Sequence, residues 1–190
     1  MNKIKILAIV GKSGAGKDYI LKCLKMCPID KVNYIVSSTT RPPREGEVDG
    51  VHYHFLQHDD FIKLMEENKI VEMSVFNDWC YGTTMDSLDV DKINIGCFDP
   101  MRLDILSDDW GIDLKIAYIT ATDKERLVRQ LTRENSPDVD EILRRYFADN
   151  DDFKYLTLDH DVYEIPNHDG EADQVCQKIL DMVEYWDDLD

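Results

Sequence analysis

Apolar residues first gather near the start of the chain, where Ile6, Leu7, Ala8, Ile9 and Val10 run unbroken up to Gly11. A short continuous apolar run closed by glycine is the pattern of a strand buried on both faces, so residues 3–10 are predicted as a parallel strand. Gly16 to Met26 reads as a helix, halted before Pro28. A second strand is predicted around Val32 to Val36. The stretch from Thr39 to Gly50, with paired prolines, charges and two glycines, reads as a loop. Val51 to Leu56 is β-prone, and Asp59-Asp60 is expected to cap a helix running through Asn68. Ile70 to Phe76 and Trp79 to Thr84 read as short strands joined by a turn at Asn77-Asp78.

The second half alternates. Strands are predicted over Lys92 to Phe98, Leu114 to Thr120 and Val162 to Ile165, and helices over Asp123 to Arg133, Val139 to Asp149 and Glu171 to Trp186. Between the first two helices, Glu134-Asn135-Ser136-Pro137-Asp138 is a polar break suited to a hinged lid. Strands alternating with helices imply a parallel sheet covered on both faces, an α/β fold of three layers. Clustered strands from Val51 to Thr84 interrupt that rhythm and predict a small β-rich insert. The chain shows no internal repeat, and its Asp-rich ending reads as a solvated tail.

Bulk properties narrow the function classes. A length of 190 residues suits one domain with a mobile insert. The formal charge of −17 excludes a nucleic-acid surface, which needs cationic stripes. It also makes every local cluster of Arg and Lys informative. No apolar run has the length to span a bilayer, and the first residues enter a strand without signal-peptide anatomy, so a cytoplasmic address is expected. The five cysteines (Cys23, Cys27, Cys80, Cys97 and Cys176) are odd in number and scattered, which reads as reduced thiols. Cys23 and Cys27, four apart on one helix, are expected to be packed in the interior.

Gly11-Lys12-Ser13-Gly14-Ala15-Gly16-Lys17 satisfies G-x-x-x-x-G-K between a predicted strand and a predicted helix, the context that motif requires. Its glycines let backbone N–H groups turn inward around a phosphate, the helix N-terminus adds positive potential, and Lys17 reaches the β- and γ-phosphates. Gly11, Ser13, Gly14, Ala15, Gly16, Lys17 and Asp18 are therefore the candidate donor-nucleotide residues, with ATP and Mg²⁺ as the implied ligands. The position after Lys17 usually carries a hydroxyl for Mg²⁺, and here it is Asp18. Its carboxylate either ligates the metal, holds a metal-bound water or only caps the helix.

A second unusual segment runs from Ser37 through Thr39-Thr40-Arg41-Pro42-Pro43-Arg44 to Glu47 and on to Tyr53. Two arginines held by stiffening prolines beside a hydroxyl-rich run can present planar forks to one phosphate monoester. The alternative is a surface loop whose arginines pair with Glu45 and Glu47.

These motifs resemble the guanylate kinase family. The similarity is specific across residues 9–18, 37–55 and 70–84, where Ile70-Val71-Glu72 and Trp79-Cys80-Tyr81-Gly82-Thr83 resemble the family's next motif. The resemblance implies a P-loop NTPase core with an acceptor-binding insert at about 37–90 and a lid at about 127–147, all within one domain. It implies that Arg41, Arg44, Tyr53 and Tyr81 hold the acceptor phosphate, that Ser37, Glu72 and Thr83 read the base, and that Glu47 braces the arginines or touches the substrate. Guanine would present N1–H and N2–H₂ to Glu72, whereas adenine would present an acceptor. On composition alone, Glu72 is equally an edge residue facing water. The family's lid arginines correspond to Arg133 and Arg145, with Arg129 and Arg144 as neighbours of unfixed register. Asn167 resembles the asparagine near the adenine of ATP. Where the family has two acidic residues at a strand end, this chain offers Asp99 alone.

The implied activity is phosphoryl transfer from ATP to GMP or dGMP, with Lys17, Arg41, Arg133 and Arg145 as catalytic residues and small nucleotides as substrates, and with no nucleic acid or membrane as partner. Rival readings are a ribose 1,5-bisphosphate phosphokinase, a deoxynucleoside monophosphate kinase, and a non-catalytic phosphopeptide-binding module of the same fold. Retention of Ser37, Glu72 and Thr83 argues against the first, and retention of Gly16-Lys17 against the last.

Overall fold

A computed structural model describes residues 3–186 of the chain, apart from residues 28, 45, 77, 109 and 134. Nine strands and seven helices are formed among these residues. They follow the order β1 (Lys5–Val10), α1 (Lys17–Lys25), β2 (Val32–Tyr34), β3 (Ser38–Thr39), β4 (His54–Phe55), α2 (His58–Glu66), β5 (Ile70–Phe76) and β6 (Trp79–Thr84). The second half contributes β7 (Ile93–Cys97), α3 (Leu103–Asp108), β8 (Asp113–Thr120), α4 (Asp123–Thr132), α5 (Val139–Asp152), α6 (Leu156–Asp159), β9 (Val162–Pro166) and α7 (Ala172–Glu184).

A five-stranded sheet has the order β2-β7-β1-β8-β9, and a four-stranded sheet the order β4-β3-β6-β5. In the larger sheet β8 and β9 run parallel, with Ile116 opposite Val162 and Thr120 opposite Pro166. The smaller sheet is mixed: β3 runs parallel to β4 and antiparallel to β6, and β5–β6 is a hairpin from Ile70↔Thr84 to Phe76↔Trp79. The chain divides into two compact units. The first holds Met1–Ile6, Asn33–Gly96 and Arg102–Leu114, hence the whole four-stranded sheet. The second holds Leu7–Val32, Cys97–Met101 and Lys115–Asp190, hence the glycine loop, α1, α4, α5 and α7.

The core follows the apolar runs. Leu7, Ala8, Ile9 and Val10 are fully buried, and in the same unit Ile20 and Leu24 of α1 and Val175, Ile179, Met182 and Val183 of α7 supply the helical side of the core. Each fully buried Ile or Leu removes enough apolar surface to contribute about 1.5–3 kcal/mol. In the first unit Phe61 of α2 and Val71 of β5 are buried, and Phe61 reaches the strand pair under Gly82.

Several expectations are corrected. The predicted loop from Thr39 contains the edge of β3, and α3 and α6 are additional short helices. The N-cap of α2 is Gln57, so Asp59 and Asp60 lie in its first turn, where acidic side chains suit the helix dipole. Cys27 is exposed and Cys23 half-buried, not interior. Asp78, the second residue of the β5–β6 turn, has φ of 63°. Asn77, Glu45, Glu134 and the Asp-rich ending at 187–190 lie outside the described residues. Among the described residues no helix is long and apolar enough to cross a membrane.

Candidate active site

The glycine loop joins β1 to α1 and is built almost wholly from backbone. Gly14 and Gly16 take φ of 82° and 96°, a region costly for any residue with a Cβ. Space forbids a side chain as well: a Cβ on Gly14 would meet the Arg126 carbonyl oxygen at 2.5 Å, and one on Gly16 the Asn167 amide at 2.6 Å. The loop's carbonyls face away into donors. Arg126 Nε donates to Ser13 O (3.0 Å), Asn167 Nδ2 to Ala15 O (2.8 Å), and the Ala15 and Ile20 amides to Lys12 O and Gly16 O. Lys17 and Asp18 open α1, and their amides belong to the first turn, which has no intrahelical acceptor. A loop whose carbonyls are turned outward and whose helix-opening amides lack acceptors fits an anion, and therefore the phosphates of a nucleotide. Asp18 is exposed beside them, an acidic side chain in the first turn of α1.

Beside this loop a cavity of about 190 Å³ is lined by Gly16, Tyr19, Arg129, Asn167, His168 and Asp169. Asn167, expected near adenine, lines the cavity while its side chain braces Ala15. Arg129 donates to Asp169 Oδ1 (2.8 Å), to Asn167 O (2.9 Å) and more weakly to the Gly14 carbonyl (3.4 Å). Arg133 is exposed at the C-cap of α4, and Arg145 donates to Glu141 Oε1 at 2.7 Å, as Arg144 does to Oε2 at 2.6 Å. Those two guanidiniums hold the Glu141 carboxyl down at about 2. α4 itself opens on a capping box between Thr122 and Glu125, and α5 on an Asp138 cap, so the predicted lid helices begin where their local sequence dictates.

One residue of this unit was not anticipated. Arg126 is 1% exposed and, among the described residues, the largest fully buried side chain. Its Nη2 donates to Asp149 of α5 and its Nη1 to Asp123, both at 2.9 Å, while Asp149 also accepts from the Ser13 amide at 2.7 Å. The loop, α4 and α5 are thereby joined through one ion-pair network. Removing one member alone would strand a buried charge.

The first unit carries the remaining candidates. Arg41 is 8% exposed and grips Glu47 with two parallel bonds of 2.9 Å, Nη1 to Oε2 and Nη2 to Oε1. It also donates to Pro42 O and lies 5.6 Å from the Tyr53 ring centre, with Tyr81 near enough to add, after Glu47, to the raising of its guanidinium. The Arg41 bonds, followed by the Arg44 amide, hold the Glu47 carboxyl down at about 2, while Glu47 raises the Arg41 guanidinium. Arg44 itself is exposed. Tyr53 meets Tyr81 edge-on at 6.1 Å. The surface-loop alternative is thus half met: Arg41 does pair with Glu47, yet inside an aromatic setting and not in solvent.

Glu72 and Thr83 are cross-strand partners, and the Thr83 hydroxyl donates to Glu72 Oε1 at 2.8 Å. Thr83 is 1% exposed; Glu72 does lie on the edge strand β5, but it is half-buried there and tied to Thr83. With its proton on Glu72, the Thr83 hydroxyl is already committed as a donor. Ser37 is half-buried, and its carbonyl accepts from the His54 amide at 2.9 Å. Asp99 belongs to the second unit; it is exposed, accepts from the Met101 amide at 3.0 Å, and helps raise the Asp152 carboxyl, whose shift comes first from desolvation.

The guanylate kinase family model matches residues 3–185. The chain belongs to the guanylate kinase family. It is 33% identical over 156 residues to a guanylate kinase of Campylobacter jejuni, covering 80% of this chain and 76% of that one. A guanylate kinase of Helicobacter hepaticus is 33% identical over 172 residues, covering 85% and 86%. The Schizosaccharomyces pombe guanylate kinase is 46% identical over a shorter 83-residue block. Among solved structures, guanylate kinase from Anaplasma phagocytophilum superposes with a TM-score of 0.68 at 16% identity, covering 97% of this chain and 87% of that one. That likeness carries the fold alone, a P-loop NTPase α/β fold. As a guanylate kinase family member, the chain has its glycine loop and its Arg41–Tyr81 cluster inside the matched span.

Proposed function

We propose that this protein transfers the γ-phosphoryl group of ATP to GMP, with dGMP as an alternative acceptor. One observation carries the acceptor half. β6 presents Tyr81 and Thr83 on the same face, Tyr81 beside Arg41 and Thr83 bonded to Glu72. Residues two apart on a strand are about 7 Å apart. One strand thus offers a phosphate clamp and, a nucleotide's breadth away, a carboxylate for guanine N1–H and N2–H₂.

In this reading Lys17 and the first amides of α1 hold the donor phosphates, and Asn167 keeps the loop in shape. Arg41, Arg44, Tyr53 and Tyr81 hold the acceptor phosphate, Glu47 fixes Arg41, and Ser37 and Glu72 read the base. An acceptor oxygen attacks the γ-phosphorus in line, the bond to the β-bridging oxygen breaks, and ADP leaves. Such transfer depends on position and charge neutralisation more than on covalent help. Mg²⁺ supplies further neutralisation when bound; Asp18 is the carboxylate suited to hold it, since Mg²⁺ sites usually combine one or two carboxylates with phosphate oxygens. Arg133 and Arg145 act from a lid of about 127–147, and the insert of about 37–90 belongs with them to one domain. Five free cysteines support a reducing, cytoplasmic setting.

The test is a steady-state comparison of GMP, dGMP, AMP, CMP, UMP and ribose 1,5-bisphosphate with ATP. GMP or dGMP should exceed every other acceptor by orders of magnitude. Equal rates with AMP would remove the base-reading argument, and activity on the ribose phosphate alone would replace the reading.

A further inference from the structure

Lys12, the second residue of the glycine loop, has no part in the mechanism above. Its Nζ donates to Asn150 Oδ1 on α5 at 2.9 Å, and among the described residues this neutral amide is its hydrogen-bond partner. The carboxylates around it are engaged elsewhere. Asp149 serves Arg126 and the Ser13 amide, and Asp123 serves Arg126 and the Tyr146 hydroxyl. By contrast Arg126, Arg129, Arg144 and Arg145 of α4 and α5 each pair with a carboxylate. A chain of net charge −17 therefore keeps a half-buried lysine on an amide oxygen, inside the loop built for anions.

We propose that Lys12 is a second phosphate-binding lysine, which exchanges Asn150 for an oxygen of the donor's terminal phosphate. The cavity lined by Gly16, Tyr19 and Asn167 lies at the α1 end of the loop and suits the nucleoside. Lys12 lies at the β1 end, so a triphosphate extending along the loop brings its last phosphate toward it. An ammonium bonds a phosphate oxygen more strongly than an amide oxygen because both partners are charged. The exchange also balances the loop. Asp18 adds a negative charge where a hydroxyl is usual, and Lys12 adds a positive one. This inference rests on the ATP reading above.

Calorimetry with ATP and with ADP, each with Mg²⁺ and without acceptor, tests it on the full chain. Lys12→Gln keeps an amide donor for Asn150 and removes the charge. It should weaken ATP by tenfold or more and leave ADP within twofold, and Lys12→Arg should recover part of the ATP affinity. Asn150→Ala breaks the bridge but leaves the lysine, and should bind ATP within twofold of wild type. The proposal is overturned if Lys12→Gln binds ATP as wild type does, if ATP and ADP weaken together, or if Asn150→Ala reproduces the loss. Wild-type protein that binds neither nucleotide would overturn the donor reading itself, a result distinct from these.

Discussion

The two regions proposed to bind the substrates' phosphates are made differently. In the second unit the donor loop uses backbone: its glycines take conformations closed to other residues, its carbonyls are turned to Arg126, Arg129 and Asn167, and Lys12 and Lys17 carry no carboxylate partner among the described residues. In the first unit the acceptor cluster uses side chains, and its central cation is already neutralised, Arg41 by Glu47. A backbone site holds its shape through sterics and leaves lysine charge open for a highly charged triphosphate. A side-chain site needs its own counter-ion to fix a flexible guanidinium, and suits a monoester that must be oriented more than it must be neutralised.

That contrast can be sharpened by substitution. The largest effect belongs to specificity. Glu72→Gln replaces an acceptor pair with an amide that no longer requires guanine donors, so a GMP-over-AMP preference of about 10⁴ should collapse toward unity. Competitive rate measurements with both nucleotides check this, and preserved preference would return Glu72 to a structural partner of Thr83. Next, Lys17→Ala removes a charge from the site of transfer and should lower kcat by about 10²–10³. GMP affinity should stay unchanged in calorimetry. Asp18→Asn retains shape and capping oxygen while deleting charge. It should raise the Mg²⁺ concentration for half-maximal rate severalfold with the melting temperature held; an unmoved Mg²⁺ profile assigns Asp18 to the helix end alone.

The smallest effect is on acid stability. The Glu47 carboxyl lies at about 2 in the folded chain against 4.5 for the unperturbed group, because Arg41 and the Arg44 amide bond it. Its contribution to stability is therefore full above about 4.5 and is lost as pH falls through about 2. Thermal melts between those limits should show a steeper acid decline for wild type than for Glu47→Gln. Parallel declines would mean the pair contributes nothing in solution.

Backbone sites are also the legible ones. The glycine spacing and the apolar run before it identified the loop from sequence alone, and both lie where β1 and α1 require. The paired strands 70–76 and 79–84 were equally plain from β-prone runs around a turn. Arg126 was not legible. Its partners, the Ser13 carbonyl 113 positions away and Asp149 23 positions away, leave no local pattern, and an arginine in an amphipathic helix is ordinarily solvated. Lys12 was hidden for the same reason, since Asn150 lies 138 positions along the chain. β3 was lost because two residues carry no periodicity.

The central claim is that the two anion sites serve two substrates separately. Its most direct test is calorimetric titration of ATP and of GMP into Arg41→Ala. The loss of a charged hydrogen-bonding clamp should weaken GMP by about 1.5–3 kcal/mol. ATP affinity should remain at the wild-type value. Unchanged GMP binding, or an equal loss for ATP and GMP, would contradict the assignment of the Arg41 cluster as the acceptor site.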